Sequence, residues 1–187
     1  FSSFIDEVRL NMDIRRSSLN SADVRYFVPF LKGYNESFWL SGQVTGTISE
    51  LKGRNIELTY GDKTEFNCDF DLSGLPDIEN TFIFLEVNDF RSIPGDVEQI
   101  SIPGRGNIVI PEPIRKLGIV SFEGTFTGFT TDFVTYGKIS TAKGLISTDI
   151  SMRPEGKGDK FLIRGLMKGT EIDLGSITGN NSLLGKM

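Results

Sequence analysis

Two carboxylates one residue apart, Asp69 and Asp71, form the pair best spaced for chemistry. Residues i and i+2 of a strand share a face, so both acids would point the same way. Such a pair can bind Ca²⁺ or Mg²⁺ or divide acid–base work. Either use calls for further ligands or a second acidic cluster with turn glycines. Phe66, Cys68, Phe70 and Leu72 take the opposite parity, so a solvated face accounts for the aspartates and is the preferred reading. Cys68 stands in line with two phenylalanines and reads as a buried, inert thiol. A cysteine nucleophile needs a basic partner, and the chain has no histidine. That absence also excludes Ser-His-Asp catalysis and imidazole zinc sites. A single cysteine excludes an internal disulfide and thiolate clusters. Gly104-Arg105-Gly106 lacks the third glycine and the strand–helix setting of a phosphate loop and reads as a turn. Arg15-Arg16, and Lys157 with Lys160, read as solvated basic patches. The net charge of −5 gives no electrostatic reason to expect nucleic-acid binding. No catalytic residue, metal or cofactor is expected, and the chain reads as non-enzymatic.

The elements that would carry these residues are strands. The 187 residues include two alanines against 19 Ile, 15 Phe, 14 Thr and 9 Val. Alanine is the best helix former, and β-branched and aromatic residues favour strands. Twenty-one glycines punctuate them. Apolar alternation runs through Val8–Ile14, Phe38–Ile48, Ile56–Tyr60, Phe66–Leu72, Val120–Gly128, Ile146–Met152 and Phe161–Met167, then Ile172 and Leu174. Thr81–Phe90 is apolar on both parities over Phe82–Leu85, which predicts cover on both sides. Short turns such as Gly61-Asp62 and Lys143-Gly144 separate several strands, the spacing of antiparallel hairpins.

Helices are expected to be few. Ser21 can cap a helix that Pro29 limits to about two turns. Pro94–Glu98 and Pro113–Leu117 suit single turns. Residues 91–116 hold four of the seven prolines and read as a long connection. The chain is therefore a single β-rich segment over 1–187, with a possible division into 1–90 and 117–187. No apolar run is long enough for a membrane-spanning helix. A start at Phe1 without Met suggests a piece of a longer precursor, whose targeting or anchoring segment would lie outside it. A pattern of glycine, any residue, apolar residue, any residue, glycine recurs at Gly42–Gly46, Gly124–Gly128 and Gly165–Gly169. Both glycines of each pair share a face, which would bend the sheet or leave a shallow channel.

The phenylalanines alternate with Thr, Ser, Asn, Asp and Glu. Two architectures fit: a closed β-sandwich with these rings as its core, or one curved, antiparallel meander sheet, elongated or folded over, whose apolar interior protein does not fully cover. An uncovered stripe would cost about 25 cal/mol per Å² in water, so a lipid, a partner or another sheet would have to cover it. The sandwich suits a module binding glycan or protein at the cell surface, with Trp39 and Tyr60 as the aromatic contacts.

Several runs resemble a known family. They are Asp23-Val24-Arg25-Tyr26-Phe27-Val28-Pro29, Ser73–Ile78 with Thr81-Phe82-Ile83, Leu117-Gly118 with Phe122–Phe129 and Asp132-Phe133, and Gly137–Thr141 through Gly144 to Thr148-Asp149-Ile150. Together they resemble the periplasmic part of AsmA-like/TamB-type proteins of Gram-negative bacteria, over about residues 5–184. The resemblance implies a long folded-over β-sheet with an apolar groove, held at the inner membrane by an anchor outside this chain. It implies a role in moving phospholipids or in assembling outer-membrane proteins with a barrel partner, and no catalytic residues. Parity places Val44, Ile48, Phe66, Phe70, Phe122, Phe126, Ile146, Ile150, Phe161 and Ile163 in that groove, against phospholipid acyl chains. Its wall would be thin at Gly42, Gly46, Gly124 and Gly128.

Overall fold

The computed structural model describes residues 6–24, 33–102, 106–156 and 160–171. Strand β1 (Leu10–Asn20) runs into the single-turn helix α1 (Ser21–Val24). Then come β2 (Ser37–Gly46), β3 (Glu50–Tyr60), β4 (Thr64–Ser73), a 3₁₀ turn (Ile78–Asn80) and β5 (Phe82–Ser92). The long connection holds α2 (Pro94–Gln99), a small ribbon of β6 (Ser101–Ile102) and β7 (Gly106–Asn107), and α3 (Glu112–Arg115). Four strands complete the chain: β8 (Val120–Phe129), β9 (Asp132–Thr141), β10 (Gly144–Pro154) and β11 (Phe161–Thr170). The prolines place α2 and α3 where expected, each with Pro in its first turn. Of the helix expected to begin at Ser21, Ser21–Val24 is described; the rest of it, with Gly104, Arg105, Lys157, Ile172 and Leu174, lies outside the described residues.

Nine strands form one open antiparallel sheet in the order β1-β2-β3-β4-β5-β8-β9-β10-β11. Each long strand pairs with the one before it, and β5 pairs directly with β8, so the sheet runs unbroken past the long connection. This is the antiparallel meander expected from the turn spacing. The closed sandwich is overturned: among the described residues, extensive contacts join only sheet neighbours, α1 with β1, and β6 with β7. The physical reason lies in the connections. Tight turns join β2 to β3, β3 to β4, β8 to β9 and β9 to β10, and every long strand lies beside its predecessor, so the described strands build one layer.

The two halves of the sheet differ in regularity. Extra residues form bulges on β1 at Arg15-Arg16, on β3 at Arg54-Asn55 and on β5 at Asn88-Asp89. A bulge bends its strand and increases local twist. From β8 to β11 the registers are unbroken. The buried cluster Val44, Ile56 and Cys68 lies in the bulged half, packed by Ile14, Leu40, Leu51, Phe66, Phe70 and Leu85.

Candidate functional site

Paired residues in a sheet share a face, so the registers sort every strand residue to one side. One row crosses all nine strands: Met12, Val44, Gly53, Phe70, Leu85, Phe126, Thr135, Ile150 and Gly165. A second runs Leu10, Gly46, Leu51, Leu72, Ile83, Gly128, Phe133, Met152, Ile163. A third carries Leu58, Phe66, Phe90, Phe122, Ile139 and Ile146. This face, here termed the inner face, bears no charged side chain in any of these rows. The outer face carries Lys52, Arg54, Glu57, Asp69, Asp71, Glu86, Glu123, Lys138, Asp149, Arg164 and Lys168 by the same pairings.

The registers bring Val44, Phe66, Phe70, Phe122, Phe126, Ile146, Ile150, Phe161 and Ile163 to the inner face. Ile48 is the exception. It sits in the turn after β2, which ends at Gly46, and is buried there, outside the main cluster. Even parity continued past the end of the strand and so misled. Rings meet along the face: Phe66 and Phe90 edge to face at 6.1 Å, Phe126 and Phe133 tilted at 4.8 Å.

Exposure on the inner face is lowest at mid-sheet and highest on the outermost described strands, with Met12 of β1 at 41%. Cys68 is 2% exposed and Val87 6%, whereas Phe161 reaches 44%, Met167 64% and Ile163 65%. The inner apolar side chains of β8, β9 and β10 are half-buried, as are most of those on β3 to β5, and those of β11 stand open.

The inner-face glycines are closely packed. A Cβ on Gly53 would run into the Phe70 ring, and one on Gly137 into Phe122. Gly124 pairs with Gly137, and Phe122 leans over both. At Gly53, Gly124 and Gly137 the missing side chains are thus seats for rings. Gly42 and Gly128, both at φ +133°, also answer to backbone: a Cβ would meet Asn55 O at Gly42 and Asp132 O at Gly128.

One end of the inner face is closed by a group that sequence reasoning missed. Asp96, in the first turn of α2, is 1% exposed. Its carboxylate accepts the Asp62 and Lys63 N–H groups at 2.9 and 2.8 Å and the Thr64 hydroxyl at 2.8 Å. Thr64 spends its proton on Asp96, so the Ser92 hydroxyl donates to Thr64 Oγ1 at 2.8 Å. Burial alone would push the Asp96 carboxyl up, but the hydrogen bonds from Asp62, Lys63 and Thr64 outweigh it and hold it below its ordinary value. Thr64 and Ser92 share the inner face with Phe66 and Phe90, so α2 pins the β3–β4 turn and seals that end with a polar knot. The signal available was Pro94-Gly95-Asp96, an acid in the first turn of a proline-started helix.

The acidic pair is spoken for. Asp69 accepts the Asn55 N–H at 2.6 Å, holding a bulge residue at φ +51°. Asp71 pairs with Arg54 at 2.6 Å and Lys52 at 3.7 Å. Among the described residues, no group of three or more acids, cysteines or histidines could hold a metal. Cys68 is buried, and burial first, then the Asp69 charge, pushes its thiol up to about 11.

Trp39 and Tyr60 are not brought together. Trp39 pairs with Thr59 on the outer face, so the next residue, Tyr60, falls on the inner one. Trp39 is 47% exposed, with the Arg16 guanidinium 5.3 Å from its ring centre. The Tyr60 hydroxyl donates to Glu36 at 3.1 Å; burial, then the Glu36 bond and charge, push it up to about 12. Nor are Phe82 and Phe84 covered on both sides. They lie on the outer face, 40% and 37% exposed, and Phe82 touches the Phe129 ring edge to face at 5.6 Å.

Among the described residues, no helix is long and apolar enough to cross a membrane. Comparison with family models, curated proteins and solved structures finds no match to this chain.

Proposed function

We propose that the chain is a non-enzymatic section of an AsmA/TamB-like protein of the Gram-negative periplasm, and that its inner face carries phospholipid acyl chains. One observation carries the proposal: apolar rows without a charged side chain cross the described strands, half-buried at mid-sheet and open at Met12 and Ile163, 41% and 65% exposed. A continuous uncharged face of this kind suits an apolar cargo that lies across the sheet. The mechanism is shielding. Each methylene moved from water onto Phe126, Ile150, Met152 or Ile163 is stabilised by roughly 0.8 kcal/mol. No single side chain grips the chain, so it can slide between neighbouring positions of nearly equal energy. A role in outer-membrane protein assembly would use the same scaffold, with a barrel protein as partner.

The test is mass spectrometry of the intact chain after gentle purification from a Gram-negative host, with lipid extraction from the same sample. Bound phospholipid is expected, and Ile150→Asp with Ile163→Asp should strip most of it while far-UV circular dichroism stays unchanged. Wild-type chain that carries no lipid, or a double variant that keeps it all, would contradict the proposal.

A further inference from the structure

The connection between β5 and β8 is an insertion into a sheet that is continuous without it, because β5 pairs directly with β8. Its described parts, residues 93–102 and 106–119, are bonded to one another. Glu98 is the hub. Its carboxylate accepts the Ile110 N–H at 3.4 Å and the Arg115 guanidinium, and its carbonyl accepts the Asn107 side-chain amide at 3.1 Å. The Ile108 N–H reaches the Ile100 carbonyl at 3.1 Å, next to the β6–β7 ribbon. This body spans one end of the sheet. Ser101 donates its N–H to Glu36 at 3.3 Å, just before β2. Asp96 holds the β3–β4 turn, and the Leu117 carbonyl accepts the Ala142 N–H at 3.1 Å in the β9–β10 turn. Through Asp96 and Thr64 it meets the last inner row, Tyr60, Thr64, Ser92, Val120 and Thr141. That row lies one step beyond Phe66, Phe90 and Phe122.

We infer that this insertion is a hinged cap on one end of the inner face, opening as a unit while the sheet stays paired, with Asp96 as its latch. Among the described residues its ties to the sheet are unequal. Asp96 is buried and gathers three donors at 2.8–2.9 Å, whereas the ties at Glu36 and Leu117 are single bonds of 3.3 and 3.1 Å. Charge-assisted bonds of short length are the strong ones, so Asp96 sets how often the cap opens. The bonds at Glu98 keep the insertion together as it swings on Ile93 and Gly118, where it leaves β5 and returns to β8. No strand pairing of the large sheet breaks in that motion. The cap's part in admitting acyl chains rests on the function proposed above; the opening does not, and is read without lipid.

Amide hydrogen exchange of the chain alone, at pH 7 and over low urea concentrations, tests the cap. Opening frees the N–H groups of Asp62, Lys63 and Ala142 and leaves that of Ile108 bonded within the insertion. The first three should exchange faster than the amides of β4 and β9, at rates that low urea does not change, the mark of an opening that exposes little surface. Ile108 should stay slower than they are. Asp96→Asn should speed exchange at Ala142, across the cap from the substitution, by about tenfold or more. A carboxylate that holds only its own turn would speed Asp62 and Lys63 and leave Ala142 alone, and that result would overturn the inference. It is also overturned if Asp62, Lys63 and Ala142 share the rate and urea dependence of the sheet, or if Ile108 exchanges together with them, since the insertion then unfolds instead of swinging. The wild-type rates decide the matter even where Asp96→Asn does not fold.

Discussion

Removing the Asp96 carboxylate should loosen one end of the sheet by an amount that can be worked out beforehand. Three donors converge on it: two backbone N–H groups and the Thr64 hydroxyl, all at 2.8–2.9 Å. A hydrogen bond to a charged group contributes about 1.5–3 kcal/mol. Asp62 and Lys63 are exposed, so their N–H groups regain water once the carboxylate is gone. Thr64 and the buried Ser92 regain less. The expected loss is about 3 kcal/mol for Asp96→Ala and about 2 kcal/mol for Asp96→Asn, which keeps one acceptor oxygen. For a chain of this size, 3 kcal/mol lowers Tm by about 6–12 °C. Urea unfolding at pH 7, followed by circular dichroism, measures it. The pH dependence has a definite sign. A carboxyl held low in the folded state stabilises the fold above its unfolded value of about 3.9. That contribution fades as the pH falls through the folded value. The gap between wild type and Asp96→Asn should therefore narrow in acid. A loss under about 1 kcal/mol at pH 7, or a gap that widens in acid, would refute the reasoning.

Other outcomes follow from the same contacts. Gly137→Ala should destabilise by about 1–3 kcal/mol through overlap with the Phe122 ring, and by much less in a Phe122→Ala background; equal costs in the two backgrounds would disprove the seat. Asp69→Ala should cost about 1–2 kcal/mol by releasing the Asn55 N–H at its positive φ, read by thermal melts; an unchanged Tm would show that the bulge holds itself. Cys68, with its thiol pushed up to about 11, should resist iodoacetamide at pH 8 and react only as urea unfolds the sheet; fast labelling of the folded chain would contradict the buried face.

Alternation made the sheet legible, because a meander with hairpin turns preserves strand parity from one residue to the next. Nine of the ten groove candidates therefore fall on one face, and Ile48 fails only because its strand stops at Gly46. Bulges were invisible. In β3, Leu51 and Gly53 share the inner face with Ile56 and Leu58, although the parities differ, since Arg54-Asn55 inserts a residue. In β5 the same shift separates Ile83, Leu85 and Val87 from Phe90. The two-sided apolar run Phe82–Leu85 lies before that bulge and is real, with Phe82 and Phe84 on the outer face. The phenylalanine seats over Gly53 and Gly137 were also hidden, because a ring reaches beyond its own position and spacing along one strand says nothing of the neighbour it covers. Asp96 was missed for a similar reason: its partners lie more than thirty residues away in the chain.

The central claim, that acyl chains meet the inner face, is tested most directly by comparing the two faces of one strand. Ile163 and Met167 point inward and Leu166 outward, at 65%, 64% and 68% exposure, so accessibility is matched and only the face differs. A photoreactive benzophenone side chain placed at each position in turn, irradiated with phospholipid vesicles, reports which face the lipid touches. Lipid adducts at positions 163 and 167 with few at 166 are the predicted result. Equal adducts at all three, or a majority at 166, would contradict the account.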